Sequence, residues 1–286
     1  MKRLLCLLLV FMFLLVGCGN TEKEHVPDQT LPQVEAGEDS QTEAPTLVTE
    51  IQPEKTEPAP TETSVTEPAP TEPVVTVPVH SALYLEGVCV EDVILWFHEV
   101  VLDSEFINGG DPSRLQRWED PICYSIEGEP TQEDLAVLDS FCVWLNTVEG
   151  FPGIRQASAG DWVNLRIHFT DAQGLLAVMG SGFDGLDGAV TFWYDGFDRI
   201  YEEVICIRTD LDQTLRNSVL LEEIYNGLGP VQDTNLRPDS IIYQEFTQPQ
   251  ALTAVDELLL KLLYHPDMAC GMNAAECEAV IRQLYY

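Results

Sequence analysis

The sequence predicts an α+β domain, in which helices pack against a mostly antiparallel sheet, preceded by a disordered tether. Three strand-like apolar runs follow one another between residues 162 and 208. Helical stripes of apolar residues come before and after these runs. Runs of strands between helices are typical of the α+β class. Residues 18–80 are instead rich in Thr, Glu and Pro, with almost no aromatic residue, so they cannot bury a core.

The N-terminus, MKRLLCLLLVFMFLLVGC, predicts a signal peptide over residues 1–17. Its apolar run from Leu4 to Val16 is shorter than the about 20 residues that a membrane-spanning helix needs. The run ends in a sequence that resembles a bacterial lipobox, in which the cysteine, here Cys18, carries the lipid. We therefore expect an extracytoplasmic protein anchored by lipid to the outer face of the cell membrane. The alternative is an ordinary signal peptide that happens to contain a cysteine.

The tether and the charge of the chain restrict the possible partners. The heptapeptide TEPAPTE occurs twice, at 56–62 and 66–72, which is low-complexity repetition and favours an extended spacer. The whole chain carries 14 Lys and Arg residues against 48 Asp and Glu residues, a net charge of −34. Such a surface repels nucleic acid and other polyanions, so no nucleic-acid partner is expected.

The elements of the domain, residues 83–286, are predicted from periodicity, capping residues and turns. Thr131 and Asp134, Asp210 and Gln213, and Asn273 and Glu276 have capping-box spacing. The sequence DGFD lies between two apolar runs and predicts a hairpin. The expected elements are, in order, a helix at 90–102, a strand-like run within 117–128, a helix at 131–148, a strand at 162–171, two hairpin strands around 195–198, a helix from 210 to 227 or 229, and helices at 252–264 and from 273.

Six cysteines fall in the domain, and outside the cytoplasm they could form disulfides. Cys270 and Cys277 are the best local pair. Most of the six lie inside apolar runs, which equally fits buried free thiols. Both interpretations stay open from the sequence.

The stretch LLEEIYNGLGPVQD, residues 220–233, has the spacing of a zinc-protease helix, H-E-x-x-H-x-x-G-x-x-H. With Glu223 on the catalytic glutamate, the three histidine positions hold Glu222, Asn226 and Gln232. Amides are poor zinc ligands, so we expect no metal and no cofactor. The order of elements also resembles that of metzincin-type proteases. This resemblance implies a zincin-like fold whose metal ligands are absent.

The chain is also similar to the bacterial extracytoplasmic family of unknown function numbered 2927, through RWEDPICYSIEG, LNTVEGFPGI, VNLRIHF, LEEIYNGLG, DSIIYQEF and LTAVDELLLKLLYHPDM. The central motif of that family resembles E-E-x-x-Q-x-L-G-L-x-N-D. Glu222, Glu223, Leu228, Gly229 and Asp233 match it, whereas Asn226, Pro230 and Gln232 depart from it. The resemblance implies an envelope protein with a peptidase-like fold. It brings no established substrate, cofactor or mechanism.

Three functional hypotheses follow. The preferred one is a degenerate metalloprotease-like domain that binds an envelope protein or peptide without catalysis. An alternative is a hydrolase or cation-binding protein that uses Glu222 and Glu223, and a third is a structural or solute-binding lipoprotein. The candidate catalytic residues are Glu223 and Glu222, and the predicted binding cleft contains Asn226, Gln232, Asp233 and Tyr243. An open cleft there would favour the first two hypotheses, and a filled core the third.

Overall fold

The computed structural model describes residues 81–102, 114–245 and 247–286. The predicted signal peptide, Cys18 and the tether lie outside these residues. Within these residues the structure contains six α-helices: α1 Val90–Phe97, α2 Gln132–Leu145, α3 Ala172–Met179, α4 Gln213–Gly227, α5 Ala254–Leu263 and α6 Ala274–Leu284. Across the described ranges, no helix combines the length and apolar character required to cross a membrane.

The helix starts follow the capping chemistry of the sequence in most places. Thr131 and Asn273 form the predicted capping boxes. The helix expected to begin at Asp210 begins later, since Asp212 is the residue whose side chain accepts from the backbone N–H of Leu215, at 3.1 Å. The first helix continues from α1 as a π-helical turn over His98–Leu102.

In the described part of the chain, six strands form one sheet: β1 Arg117–Trp118, β2 Ile122–Gly128, β3 Ile154–Gln156, β4 Leu165–Thr170, β5 Gly188–Tyr194 and β6 Arg199–Arg208. The strand order is β1-β6-β4-β2-β3, and β5 also pairs with β6. Only the β5–β6 hairpin is antiparallel among the described strand pairs. The prediction of a mostly antiparallel sheet is therefore wrong. The sheet is mostly parallel, the architecture is α/β-like, and the zincin-like arrangement is not supported.

The error has a physical cause in the segment between β4 and β5. Its glycines lower helix propensity, so the sequence did not predict a helix there. The structure nevertheless forms α3, because the Asp171 side chain accepts from the backbone N–H of Gly174 at 2.8 Å and caps the helix. With a helix between them, β4 and β5 are not a hairpin, and β4 instead pairs in parallel with β6. The short strand β3 was also not predicted.

The sheet buries different residues on its two faces, as the two-residue period of a strand requires. Ile205 and Ile207 of β6 belong to the main core, which packs against helices including α2, α4 and α5. Cys206, between them, belongs to a smaller cluster with residues of α3 and its neighbourhood.

All six domain cysteines are free thiols, so Cys270 and Cys277 do not form a disulfide with each other.

The helix α4 is the centre of the main core. Every residue from Arg216 to Gly227 is buried, and the helix contacts α2, β5 and β6. Its polar N-terminal turn is anchored by an ion pair, since Arg216 Nε donates to Asp134 Oδ1 at 2.8 Å. Burial alone would raise the pKa of Asp134, but hydrogen bonds from Thr131, Arg216 and Gln213 hold it below its usual range. The pair therefore ties α4 to the start of α2.

The close approach of α4 to the sheet depends on Gly227. A Cβ at Gly227 would overlap the carboxylate of Glu203 on β6. Replacing glycine by alanine inside a helix normally stabilises it by about 1 kcal/mol. We expect Gly227→Ala instead to destabilise the protein by about 2 kcal/mol, as overpacked cores do. Urea unfolding measures the difference.

Two further variants make this test specific. Gly196→Ala is the matched control, because a Cβ there would meet nothing within 4 Å. It should change the free energy of unfolding by less than about 0.5 kcal/mol. The double variant Gly227→Ala/Glu203→Ala should recover part of the loss, since the two residues are in contact. A Gly227→Ala protein as stable as the native one would show that the contact is not tight.

Candidate functional site

Two glutamates enter the interface between α4 and the sheet from opposite sides. Glu223 projects from α4 toward Gly188 of β5, where an added Cβ would lie 2.8 Å from Glu223 Oε1. Glu203 projects from β6 toward Gly227 of α4. Each carboxyl occupies the space that a side chain on the opposing glycine would need. Both are enclosed, with exposed fractions of 1%.

The enclosure changes the ionisation of Glu203. Burial raises the pKa of its carboxyl well above the usual range, and the negative charge of Glu223 raises it further. Trp118 opposes the shift weakly, and its indole N–H donates to the Gly227 carbonyl oxygen at 3.1 Å. Within the described residues, Glu203 Oε1 has no hydrogen-bond partner. Ionised, this carboxylate would be a buried charge at high cost, so burial favours the protonated form.

Glu222 lies on another side of α4, beside Tyr243 and Glu245. Together with residues of α4 they line a crevice of about 10 Å³, which is space for about one water molecule. Glu222 is 8% exposed. Burial raises the pKa of its carboxyl well above the usual range, and the charges of Glu223, Asp233 and Asp187 add to the shift. The crevice is too small to admit a peptide.

The structure brings together only part of the predicted cleft. Glu222 and Tyr243 share the crevice, and Asp233 is near enough for its charge to act on Glu222. Asn226 is buried in α4, with an exposed fraction of 3%. The backbone N–H of Gln232 donates to the Val100 carbonyl oxygen at 3.2 Å, which ties that residue to the π-helical turn. The predicted residues therefore do not form one open site.

The segment that carries Tyr243 is held by a buried ion pair. Arg237 Nη2 donates to Asp256 Oδ1 at 2.5 Å, and Ser240 Oγ donates to the same oxygen at 2.7 Å. Asp256 Oδ2 accepts from the backbone N–H groups of Ile241 and Thr253. The carboxylate thus caps α5 and fixes the segment against it. The sequence did not predict this partner for Asp256, because Arg237 lies outside any predicted element.

Glu203 was also not predicted as a site residue, although the strand pattern contained a signal. In RIYEEVICIR, Glu203 shares its strand face with Ile205 and Ile207, both fully buried. A carboxylate at an inward-facing position of a strand predicts a buried acid.

No group of three or more His, Cys, Asp or Glu side chains among the described residues is arranged to hold a metal ion.

A comparison with protein families gives a match to the family described as "Protein of unknown function (DUF2927)", over residues 91–283. The chain belongs to this family. The matched region includes α4, Glu203 and both residues of the Asp256–Arg237 pair. A comparison with curated proteins gave no match. Family membership therefore supports the relationship inferred from LEEIYNGLG and its neighbours, and it adds no activity.

The buried acid gives a prediction about pH. A carboxyl whose pKa is higher in the folded than in the unfolded protein binds its proton more tightly when folded. Its stabilising contribution is complete below the unfolded pKa of about 4.3 and is lost as pH rises through the raised folded pKa. We expect the free energy of unfolding to fall between pH 5 and pH 8. In Glu203→Gln this fall should be smaller by on the order of 1 kcal/mol.

Urea unfolding at the two pH values measures the effect. The control is Glu149→Gln, which changes an exposed carboxyl and should leave the pH dependence as in the native protein. An identical fall in the native protein and in Glu203→Gln would contradict a raised pKa at Glu203.

Proposed function

We propose that this chain is a lipid-anchored protein of the outer face of the cell membrane, which binds an envelope component without cleaving it. One observation carries the non-catalytic part of the proposal. Glu223 and Glu222, the candidate catalytic residues, are enclosed by α4 and its neighbours, and the crevice beside Glu222 holds about 10 Å³. A hydrolytic glutamate must reach its substrate within hydrogen-bond distance, directly or through one water. Here the core fills that space.

The same observation assigns the glutamates a structural role. Glu223 and Glu203 fill the gaps opposite Gly188 and Gly227, where they set the distance between α4 and the sheet. Binding must then use a surface other than the predicted cleft of Asn226, Gln232, Asp233 and Tyr243. A filled core is the outcome expected for the third hypothesis, a structural or solute-binding lipoprotein. The proposal therefore gives up the predicted cleft, and it combines a non-catalytic role with a binding surface elsewhere on the domain.

The anchoring part of the proposal rests on the sequence. The short apolar run that ends in Leu15, Val16, Gly17 and Cys18 supports cleavage before Cys18 and its acylation. Two or more acyl chains give stable anchoring, since each buried methylene contributes about 0.8 kcal/mol. The net charge of −34 disfavours binding to nucleic acid and other polyanions.

The proposal is tested with the full chain expressed in cells and with three variants. In the native protein we expect recovery with the membrane fraction and digestion by protease added outside intact cells. Cys18→Ala should leave the membrane fraction. The purified native protein, Glu222→Gln and Glu223→Gln should co-sediment with isolated envelope material to the same extent. None of the three proteins should release soluble fragments from that material.

Two results would overturn the proposal. Release of envelope fragments by the native protein but not by Glu223→Gln, with both folded by circular dichroism, would make the protein a hydrolase. Absence of any sedimentation with envelope material would remove the binding function.

A further inference from the structure

A cleft of about 520 Å³ lies at the amino ends of the parallel strands β3, β2, β4 and β6. This volume is within the range of small-ligand sites. Its lining includes Asp120, Cys123, Arg155, Trp162, Asn164 and Tyr201. Neighbouring strands lie about 4.8 Å apart, so the cleft extends across three spacings, or about 14 Å. This shape suits an elongated ligand that lies across the strands.

The most exposed large apolar side chain of the described domain lies in this cleft. Trp162 has an exposed fraction of 85%, and Tyr201 one of 48%. Single apolar residues on a surface are ordinary, but two aromatic side chains that line one concave site indicate a binding surface.

The chain on both sides of Trp162 is fixed by hydrogen bonds. Asp161 Oδ2 accepts from Arg155 Nη1 and from the backbone N–H of Ser158, both at 2.7 Å. Asn164 Oδ1 accepts from the backbone N–H of Cys123 at 2.7 Å, and its Nδ2 donates to the Pro121 carbonyl oxygen at 3.1 Å. The indole is therefore presented to solvent by an anchored backbone. A preorganised platform loses little conformational entropy when a ligand binds.

The polar groups of the cleft suit a neutral ligand rich in hydroxyl groups. Asp120 is an exposed acceptor at one side. Arg155 lines the cleft, and its two side-chain hydrogen bonds both come from Nη1, so its Nε and Nη2 remain as further donors. Asp120 and Arg155 are the charged side chains among those that line the cleft, and Arg155 is paired with Asp161, so the charge that remains is the single carboxylate of Asp120. The strongly negative chain repels polyanions but imposes no such penalty on an uncharged polymer.

We propose that this cleft binds a neutral glycan chain, with the Trp162 indole as the platform on which a sugar ring stacks. The apolar face of a pyranose carries C–H bonds with partial positive charge, which match the negative face of an aromatic ring. The hydroxyl groups at its edge would bond to Asp120 and Arg155. This inference rests on the proposed function, because it names the ligand class and the surface of that binding role.

The test titrates the full chain, purified in detergent, with tetramers of glucose, of mannose and of N-acetylglucosamine. Calorimetry and tryptophan fluorescence report binding. We expect the native protein to bind at least one tetramer, with a shift of indole emission to shorter wavelength. Trp162→Ala should weaken that binding at least tenfold, and Trp162→Phe should weaken it less, since it keeps an aromatic face.

The matched control is Phe197→Ala, which removes another aromatic side chain that is 72% exposed and lies outside this cleft. Its affinity should stay within twofold of the native value. Failure of the native protein to bind any of the three tetramers, or equal binding by Trp162→Ala, would overturn the proposal. A different ligand would also overturn the proposal. This would be the case if the tetramers do not bind, while the native protein binds a proline-rich peptide or self-associates and Trp162→Ala does not.

The envelope sedimentation assay separates this inference from the proposed function. If Trp162→Ala, made in the Cys18→Ala background, sediments with envelope material as well as Cys18→Ala alone does, the glycan cleft is wrong and the binding function stands. If the native protein does not sediment at all, the binding function itself fails, whatever the tetramers show.

Discussion

The enclosure of two glutamate side chains between α4 and the sheet is the constraint on which the packing of this domain depends. Gly227 leaves the space that Glu203 occupies, and Gly188 leaves the space that Glu223 occupies. The close packing of α4 on the sheet therefore requires all four residues together. Close-packed interiors tolerate little change in volume, and each carboxyl must also be protonated or solvated by its neighbours. The raised pKa of Glu203 follows from this packing. A glutamate in the core thus destabilises the folded domain electrostatically. This destabilisation is smallest when the carboxyl group is protonated and neutral.

This constraint also supports the proposal that the family motif is non-catalytic. Adjacent glutamates on a helix point about 100° apart, and here Glu222 points to a crevice for about one water while Glu223 points into the sheet. The motif residues are therefore explained by packing. The proposed recognition surface lies at the amino ends of the strands, where the loop before β4 exposes Trp162 and strand β6 exposes Tyr201. The core and the proposed glycan cleft share β6, which carries Glu203 and Tyr201 close together in sequence.

Most helices and strands could be predicted from the sequence, because capping residues such as Thr131 and Asn273 act locally. The parallel pairing of β4 with β6 could not, since it depends on whether a glycine-rich segment forms a helix, and α3 forms through the cap at Asp171 and tertiary packing. The burial of Glu222 and Glu223 could be predicted from the apolar residues around α4. Their surroundings could not, because Gly188 reaches Glu223, and Glu203 reaches Gly227, only once the β5–β6 hairpin packs against α4. The exposure of Trp162 likewise depends on the loop that holds it.

Infrared difference spectroscopy of the native protein and Glu203→Gln at pH 7 reports the ionisation of Glu203 itself, because protonated and ionised carboxyl groups absorb in separate regions. We expect a band from a protonated carboxyl in the native protein, shielded from rapid exchange in heavy water and absent from Glu203→Gln. An ionised carboxylate at Glu203, seen as loss of a carboxylate band in the variant with no change in the protonated region, would contradict this expectation. The interface between α4 and the sheet would then hold a charge, and its glutamates would again be candidates for chemistry.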